Sequence, residues 1–291
     1  MVQHSQTWVD PHIHLFALDE GQYDWLKPTN APFWADKRSI AKNTTETMLY
    51  RASLGQLCGF VHIEAGYDNN RPWREIAFLE RHCTLPFRSV GCIDLAGNSV
   101  GSHIDKLGLH SSVSGLRHIL DDDAETLLRA PKVKWALRRM ASKGLSFDAQ
   151  LDIADSNAVA ALLNVLEQNP ALKVAINHAA IAPFDTKSLA FKTWRQNIRV
   201  LSETGQVAFK FSGLEMQDRR WNWQRAYYIF ETLLSTVGTS QIMFASNFPL
   251  CQWGMSYAAL WHGFSDMIAP LSEAQKAALL SINAKQWYGF A

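Results

Sequence analysis

Eight short apolar runs, each separated from the next by a longer stretch that mostly has helical spacing, constrain this sequence more than any other feature. The runs are Trp8–Leu15, Gly59–Ala65, Arg88–Leu95, Val113–Leu120, Ser146–Asp152, Lys173–Ala179, Val207–Leu214 and Ile242–Leu250. Most are about 6–8 residues long and rich in β-branched or aromatic side chains, the mark of buried strands. Helical patterns lie between them at Pro72–Cys83, Pro131–Lys143, Ser156–Gln168, Thr186–Glu203, Trp223–Thr236 and Ser256–Met267. Pro72 and Pro131 stand where a first helical turn begins, Ser156 is placed as an N-cap, and Gly144 and Gly205 fall where helices end before a strand. A closing helix runs from Ser272 to Tyr288, with Gln275 completing a capping box on Ser272. This alternation predicts an α/β chain folded as a (β/α)₈ TIM barrel, with residues 1–291 in one domain. An open doubly wound sheet would carry a Gly-rich turn after its first strand, where this chain has Leu15-Phe16-Ala17-Leu18.

Charge narrows the partners. Lys and Arg number 28 against 27 Asp and Glu, a net charge of +1, so no strong field exists for nucleic acid or an anionic membrane. No run of about 18 apolar residues is present, so no membrane span is expected. The start, MVQHSQTWVDPH, has no basic-then-apolar leader pattern. Cys58, Cys83, Cys92 and Cys251 have no C-x-x-C spacing, which disfavours a cysteine zinc cluster and fits free thiols in a reducing cytoplasm. The expected partner is a small-molecule substrate.

In a barrel of this kind, loops at the C-terminal ends of the strands build the active site. Strand side chains alternate, and apolar sets are expected to face the helices. On the first strand this puts Val9, Pro11, Ile13 and Leu15 outward, and Asp10, His12 and His14 toward the axis. On the second it puts Val61, Ile63 and Ala65 outward, with His62 and Glu64 inward. Two histidines at i, i+2 can reach one cation together, and imidazole suits zinc; a hydrogen-bonded buried pair is the plainer reading. Glu64 could bind metal, orient a histidine or act as a base, and an ion pair inside the barrel is the alternative, preferred for His62.

Further along, Arg117 and His118 take opposite faces. Arg117 is the choice for the mouth, where a guanidinium grips a carboxylate or a developing oxyanion. Gln150 shares a face with Asp148 and could donate a hydrogen bond to substrate, with simple polar packing as the alternative. The sixth strand delivers His178. Lys210 on the seventh needs a carboxylate partner or a substrate. Pro249 ends the eighth strand's ladder, leaving Asn247 at the mouth. The chain holds 11 tryptophans, far above the roughly 4 of ordinary composition. Tyr23, Trp25, Phe33 and Trp34 from the long loop Asp19–Asp36, with Trp221, Trp223 and Trp253, are candidates to cover the site, Trp25 as a substrate contact.

Trp-Val-Asp10-Pro-His12-Ile-His14, Gly115-Leu-Arg117-His118, Asn177-His178, Lys210-Phe-Ser212-Gly213-Leu and Ser246-Asn247-Phe-Pro249 together resemble the amidohydrolase-2 branch of the amidohydrolase superfamily. More narrowly they resemble its TIM-barrel hydrolases, which include sugar-lactone and 2-pyrone-4,6-dicarboxylate lactonases. The resemblance runs in order over almost the whole chain. It implies hydrolysis of a cyclic ester, with His12, His14 and His178 in the site as catalytic groups or, where a divalent cation such as zinc is held, as its ligands. It equally allows a metal-free site, since pyrone-dicarboxylate lactonases work without one. One departure stands out. The family's eighth strand commonly ends Ser-Asp-Trp-Pro, and that Asp is the expected base. Asn247 occupies the matching position, and an amide is no base near neutral pH. His178, His14 and Glu64 are then the candidates for the proton. The rival readings are a metal-dependent nonoxidative decarboxylase and a binding protein that has lost its base.

Overall fold

The computed structural model of the protein describes residues 6–290. Residues 1–5, on which part of the leader expectation rests, lie outside them. Eight strands form a single all-parallel sheet in sequential order: β1 (Trp8–Ile13), β2 (Leu57–Ile63), β3 (Phe87–Cys92), β4 (Val113–Ile119), β5 (Ser146–Gln150), β6 (Val174–Ile176), β7 (Val207–Phe211) and β8 (Ile242–Phe244). The sheet closes past the end of β8. Ile13 bridges Phe248 in parallel, the His14 amide donates to the Phe248 carbonyl at 2.7 Å, and the Asn247 amide donates to the His12 carbonyl at 2.9 Å. The molecule is the expected (β/α)₈ barrel. Among the described residues no helix is long and apolar enough to cross a membrane.

Helices wrap the outside. The helix Pro131–Ser142 begins on its proline, and Gly144 and Gly205 follow their helices in the left-handed region, φ +71° and +70°. The capping box of Ser272 and Gln275 is present. The closing segment is helical throughout but passes through a π-turn at Ala278–Ile282. At the helix Ser156–Gln168 the cap is Asp155, one residue earlier than expected, because its carboxylate accepts from the Asn157 and Ala158 amides. Four short helices, Glu46–Ala52, Val100–Leu107, Ala124–Arg129 and Leu214–Gln217, were not expected; each is too brief to show a clear period.

Two expected strand orientations are corrected. Val61 and Ile63 face the axis, in one buried apolar cluster with Val9, Val90, Ala175, Ala208 and Met243. His62 faces the helices, its Nε2 3.1 Å from Glu75 of the helix Trp73–His82. The lower barrel is a packed apolar core, so an apolar strand face need not point outward. On β1 the alternation is broken. Asp10 pairs with Phe60 and Ile13 with His62, so three steps on β1 match two on β2. Before the bulge Val9, expected outward, faces the axis and Asp10 faces outward beside Phe60, where Tyr257 donates to its carboxylate at 3.0 Å; the extra residue then returns His12 to the inner side. Burial pushes the Asp10 carboxyl up to about 6.

The bottom of the barrel is sealed from within. Tyr288, on the last helix Asn283–Tyr288, donates to Asp148 of β5 at 3.0 Å, and Lys210 lies 2.5 Å from the same carboxylate. At the other end the chain from Leu15 to Thr45 forms a strap with little regular structure. It is pinned by an antiparallel bridge between Phe16 and Thr44 and packed on its own apolar cluster of Phe16, Tyr23, Leu26, Ile40 and Tyr67.

Candidate active site

The β1 bulge after Asp10 leaves His12 and His14 on the inner side at the top of the strand. Their rings meet edge to face, centroids 5.1 Å apart. His14 Nδ1 donates to the Ile63 carbonyl at 2.9 Å, which leaves Nε2 as an acceptor. His12 is fully buried, and neither of its ring nitrogens has a protein partner among the described residues.

His178 reaches the same point from β6 by an unusual path. It lies beyond the strand, in a run of four residues, His178 to Ile181, with φ between 50° and 56°. Left-handed backbone costs roughly 1–2 kcal/mol for each such residue, and it persists only where the surroundings fix it. Here Trp194 donates its indole N–H to the Ala179 carbonyl at 3.1 Å, and the Ala180 amide donates to the Asn177 carbonyl at 3.0 Å. The turn brings the His178 ring to 4.7 Å from His12, centroid to centroid, and its Nδ1 to 3.2 Å from Ser212 Oγ. Gly213 makes room: a Cβ there would lie 2.2 Å from His178 Nδ1.

Arg117 of β4 sits beside the cluster. Its Nη2 is 2.7 Å and its Nε 2.8 Å from Glu64 Oε1, with both side chains nearly buried. Burial raises the Glu64 carboxyl and the guanidinium partly opposes that. Burial, with Arg117 and Lys210 adding positive charge, holds His178 down to about 3. His12 and His14 are also held well below the ordinary imidazole range, first by burial. Three neutral imidazoles therefore converge beside a cation at neutral pH.

Other expected residues are placed differently. Lys210 has no exposed surface and meets Asp148, so it acts on His12 and His178 through its charge rather than by reaching the mouth. Gln150 spends its amide on Asp121 at 3.1 Å. Of the aromatic candidates, Trp25, Trp34 and Trp253 form a chain of edge-to-face contacts over the strand ends, Trp25 donating to the Ala65 carbonyl at 2.7 Å. Arg219 stacks on Trp253 at 4.0 Å and bonds Asp36 of the strap at 2.7 Å. Tyr23, Trp221 and Trp223 belong to apolar packing, and Phe33 stands exposed.

Asn247 lies past β8 with φ 62°, a conformation asparagine tolerates better than most residues. Its Nδ2 donates to Glu215 Oε1 at 2.6 Å. Sequence reasoning missed Glu215. It stands two residues after Gly213, outside any strand alternation, and its one signal is a lone carboxylate between Leu214 and Met216 in a stretch the structure buries.

The amidohydrolase family model matches residues 9–290. The chain belongs to the amidohydrolase family. It is thus an enzyme of hydrolase type. This amidohydrolase is 29% identical over 295 residues to the uncharacterised protein y4mH of Sinorhizobium fredii, covering 96% of this chain and 97% of that one. It is 23% identical over 300 residues to the L-fucono-1,5-lactonase of Burkholderia multivorans, with 96% and 95% covered. A zinc-bound amidohydrolase from Burkholderia multivorans superposes with a TM-score of 0.82 at 18% identity, over 98% of this chain and 100% of that one.

That neighbour shows the scaffold with zinc, and in this amidohydrolase the donor type fits: three neutral imidazoles, one with both nitrogens unpartnered. The charge does not help. Glu64 and Asp148 are already neutralised by Arg117 and Lys210, and among the described residues no group of three or more His, Cys, Asp and Glu side chains is arranged to hold a metal ion.

Proposed function

We propose that this amidohydrolase opens a small cyclic ester, a sugar lactone or pyrone-type lactone, by attack of water on the ring carbonyl. The observation that carries the reading is the meeting of His12, His14 and His178 around unpartnered nitrogens beside the Arg117–Glu64 pair. A neutral imidazole accepts a proton, and a guanidinium stabilises the oxyanion. The relationship to a lactonase supports the substrate class.

In this reading His178 takes the proton as the water oxygen bonds to the carbonyl carbon. The ring C–O bond breaks when the tetrahedral centre collapses, and the proton passes to the departing alkoxide oxygen. Arg117 draws the carbonyl oxygen through Nη1, which has no bond to protein among the described residues. An imidazole held as low as His178 is costly to protonate, and the negative charge developing on the carbonyl oxygen offsets part of that cost. His14 presents Nε2 to substrate. Trp25, Trp34 and Trp253 cover the ring and exclude water. Should a divalent cation bind, His12, His14 and His178 would offer imidazole donors and the cation would polarise the carbonyl, but Glu64 and Asp148, taken by Arg117 and Lys210, would add no carboxylate to the set.

Proton release across a panel of aldonolactones and unsaturated dicarboxylic lactones, with and without chelator, tests this. Turnover of at least one lactone, surviving chelation, is the expected result. Turnover lost to chelator and restored by zinc would move the three histidines to ligand roles. Silence in both conditions would sink the reading.

A further inference from the structure

The turn after β8 offers an amide where the family commonly has a carboxylate, and another element brings a carboxylate against that amide. Glu215 stands in the short helix Leu214–Gln217 just after β7, almost fully buried. Its Oε1 accepts from Asn247 Nδ2 at 2.6 Å. No Lys, Arg or His among the described residues forms a salt bridge with its carboxylate. Arg219, the cation next along the chain, gives its guanidinium to the Glu215 carbonyl oxygen, to Asp36 and to the Trp253 face. A buried carboxylate without a counter-charge is expensive, and groups kept in that state cluster at functional sites.

The contact itself sets the amide's direction: Nδ2 donates to Glu215 Oε1, which leaves Oδ1 as the other end. The Asn247 backbone is tied to the His12 carbonyl at 2.9 Å, so the residue is anchored to the strand that carries two of the three histidines. We propose that Glu215 is a positioning residue: it holds the Asn247 amide with Oδ1 as the acceptor that orients the attacking water, while the proton itself goes to His178. The inference rests on the hydrolase reading above.

The proposal makes the two positions interdependent. Asn247→Asp sets two carboxylates within hydrogen-bonding distance, where they cannot both ionise. Glu215→Gln keeps an acceptor oxygen for Asn247, and in the double variant its NH₂ can donate to the new aspartate. Wild type is first assayed for proton release on the lactone panel; silence there overturns the hydrolase reading and this inference with it. With an active wild type, Glu215→Leu is expected to lower kcat about 10- to 100-fold, in line with loss of one charge-assisted hydrogen bond, with KM changed far less. Glu215→Gln should lose less than Glu215→Leu. Asn247→Asp should be impaired, and Asn247→Asp/Glu215→Gln should regain most of that loss. If Glu215→Leu fails to fold, Asn247→Asp against the double variant carries the test alone. An active wild type with kcat unchanged in Glu215→Leu, or an Asn247→Asp defect that Glu215→Gln does not relieve, would overturn the positioning role while leaving the hydrolase reading intact.

Discussion

Neither ring nitrogen of His12 has a protein partner among the described residues, although the side chain is wholly buried. Buried polar groups are almost always satisfied, and here the unpartnered ring lies against two further histidines. The sequence pattern H-x-H located this pair, and the structure brings His178 to it. Glu215 is the residue-scale counterpart that pattern reading could not find, because its meaning comes from Asn247, 32 positions away. Burial pushes the Glu215 carboxyl up to about 7 from an ordinary 4.5, and the Asn247 hydrogen bond works the other way. Arg219 on its own segment lowers it slightly, and Cys251 faces it from the turn after β8. A carboxyl raised on folding contributes stability that is whole below its unfolded value and is lost as pH rises through the folded one. Wild type should therefore lose stability between about pH 4.5 and 7 from this group. In Glu215→Gln that part of the slope should vanish, a difference on the order of 3 kcal/mol by pH 8. Urea unfolding across that range reads it; parallel slopes in the two proteins would show that Glu215 ionises normally. Asp10, raised by burial to about 6, has the same sign but is common to both.

At the scale of elements, the eight strands were legible because β-branched and aromatic runs were separated by helix-length spacers. What the period could not show was phase. The bulge between Asp10 and Ile13 has no sequence mark beyond Pro11, and Val61 and Ile63 looked like an outer face because the lower interior of the barrel is itself apolar. The left-handed turn at His178–Ile181 was equally hidden, since Ala179 and Ala180 give no sign of positive φ. Gly213 holds the key to that turn. Gly213→Ala would set a methyl 2.2 Å from His178 Nδ1 at φ +70°. The conformation alone costs roughly 1–2 kcal/mol, and the clash must move the histidine. Activity is expected to fall about 10²-fold, as for a displacement of a catalytic group by an ångström. A crystal structure of the variant should show the ring displaced; a displaced ring with full turnover would remove His178 from the chemistry, and an unmoved ring would contradict the clash.

For the whole molecule, the barrel is closed at one end by charge and at the other by aromatic rings. The Lys210–Asp148 pair, with Tyr288 bonded to the same carboxylate, ties β5, β7 and the last helix together across the axis. The sequence left Lys210 to a carboxylate partner or a substrate; the structure pairs it with Asp148 and adds Tyr288 of the C-terminal helix to the pair. Breaking one side of a buried pair costs about 3–5 kcal/mol, whereas replacing both sides by apolar groups is often nearly neutral. Lys210→Met should therefore unfold at much lower urea concentration than wild type, and Lys210→Met/Asp148→Leu should recover most of the loss. Equal destabilisation in both would mean that the residues act independently. Above this floor stand the three histidines, the proposed hydrolytic groups. The most direct measurement is proton release from the best panel lactone by wild type and by His178→Asn. A loss of about 10²–10⁴ in kcat, with KM little changed, is the outcome that a general base at His178 requires; undiminished turnover in His178→Asn would contradict it.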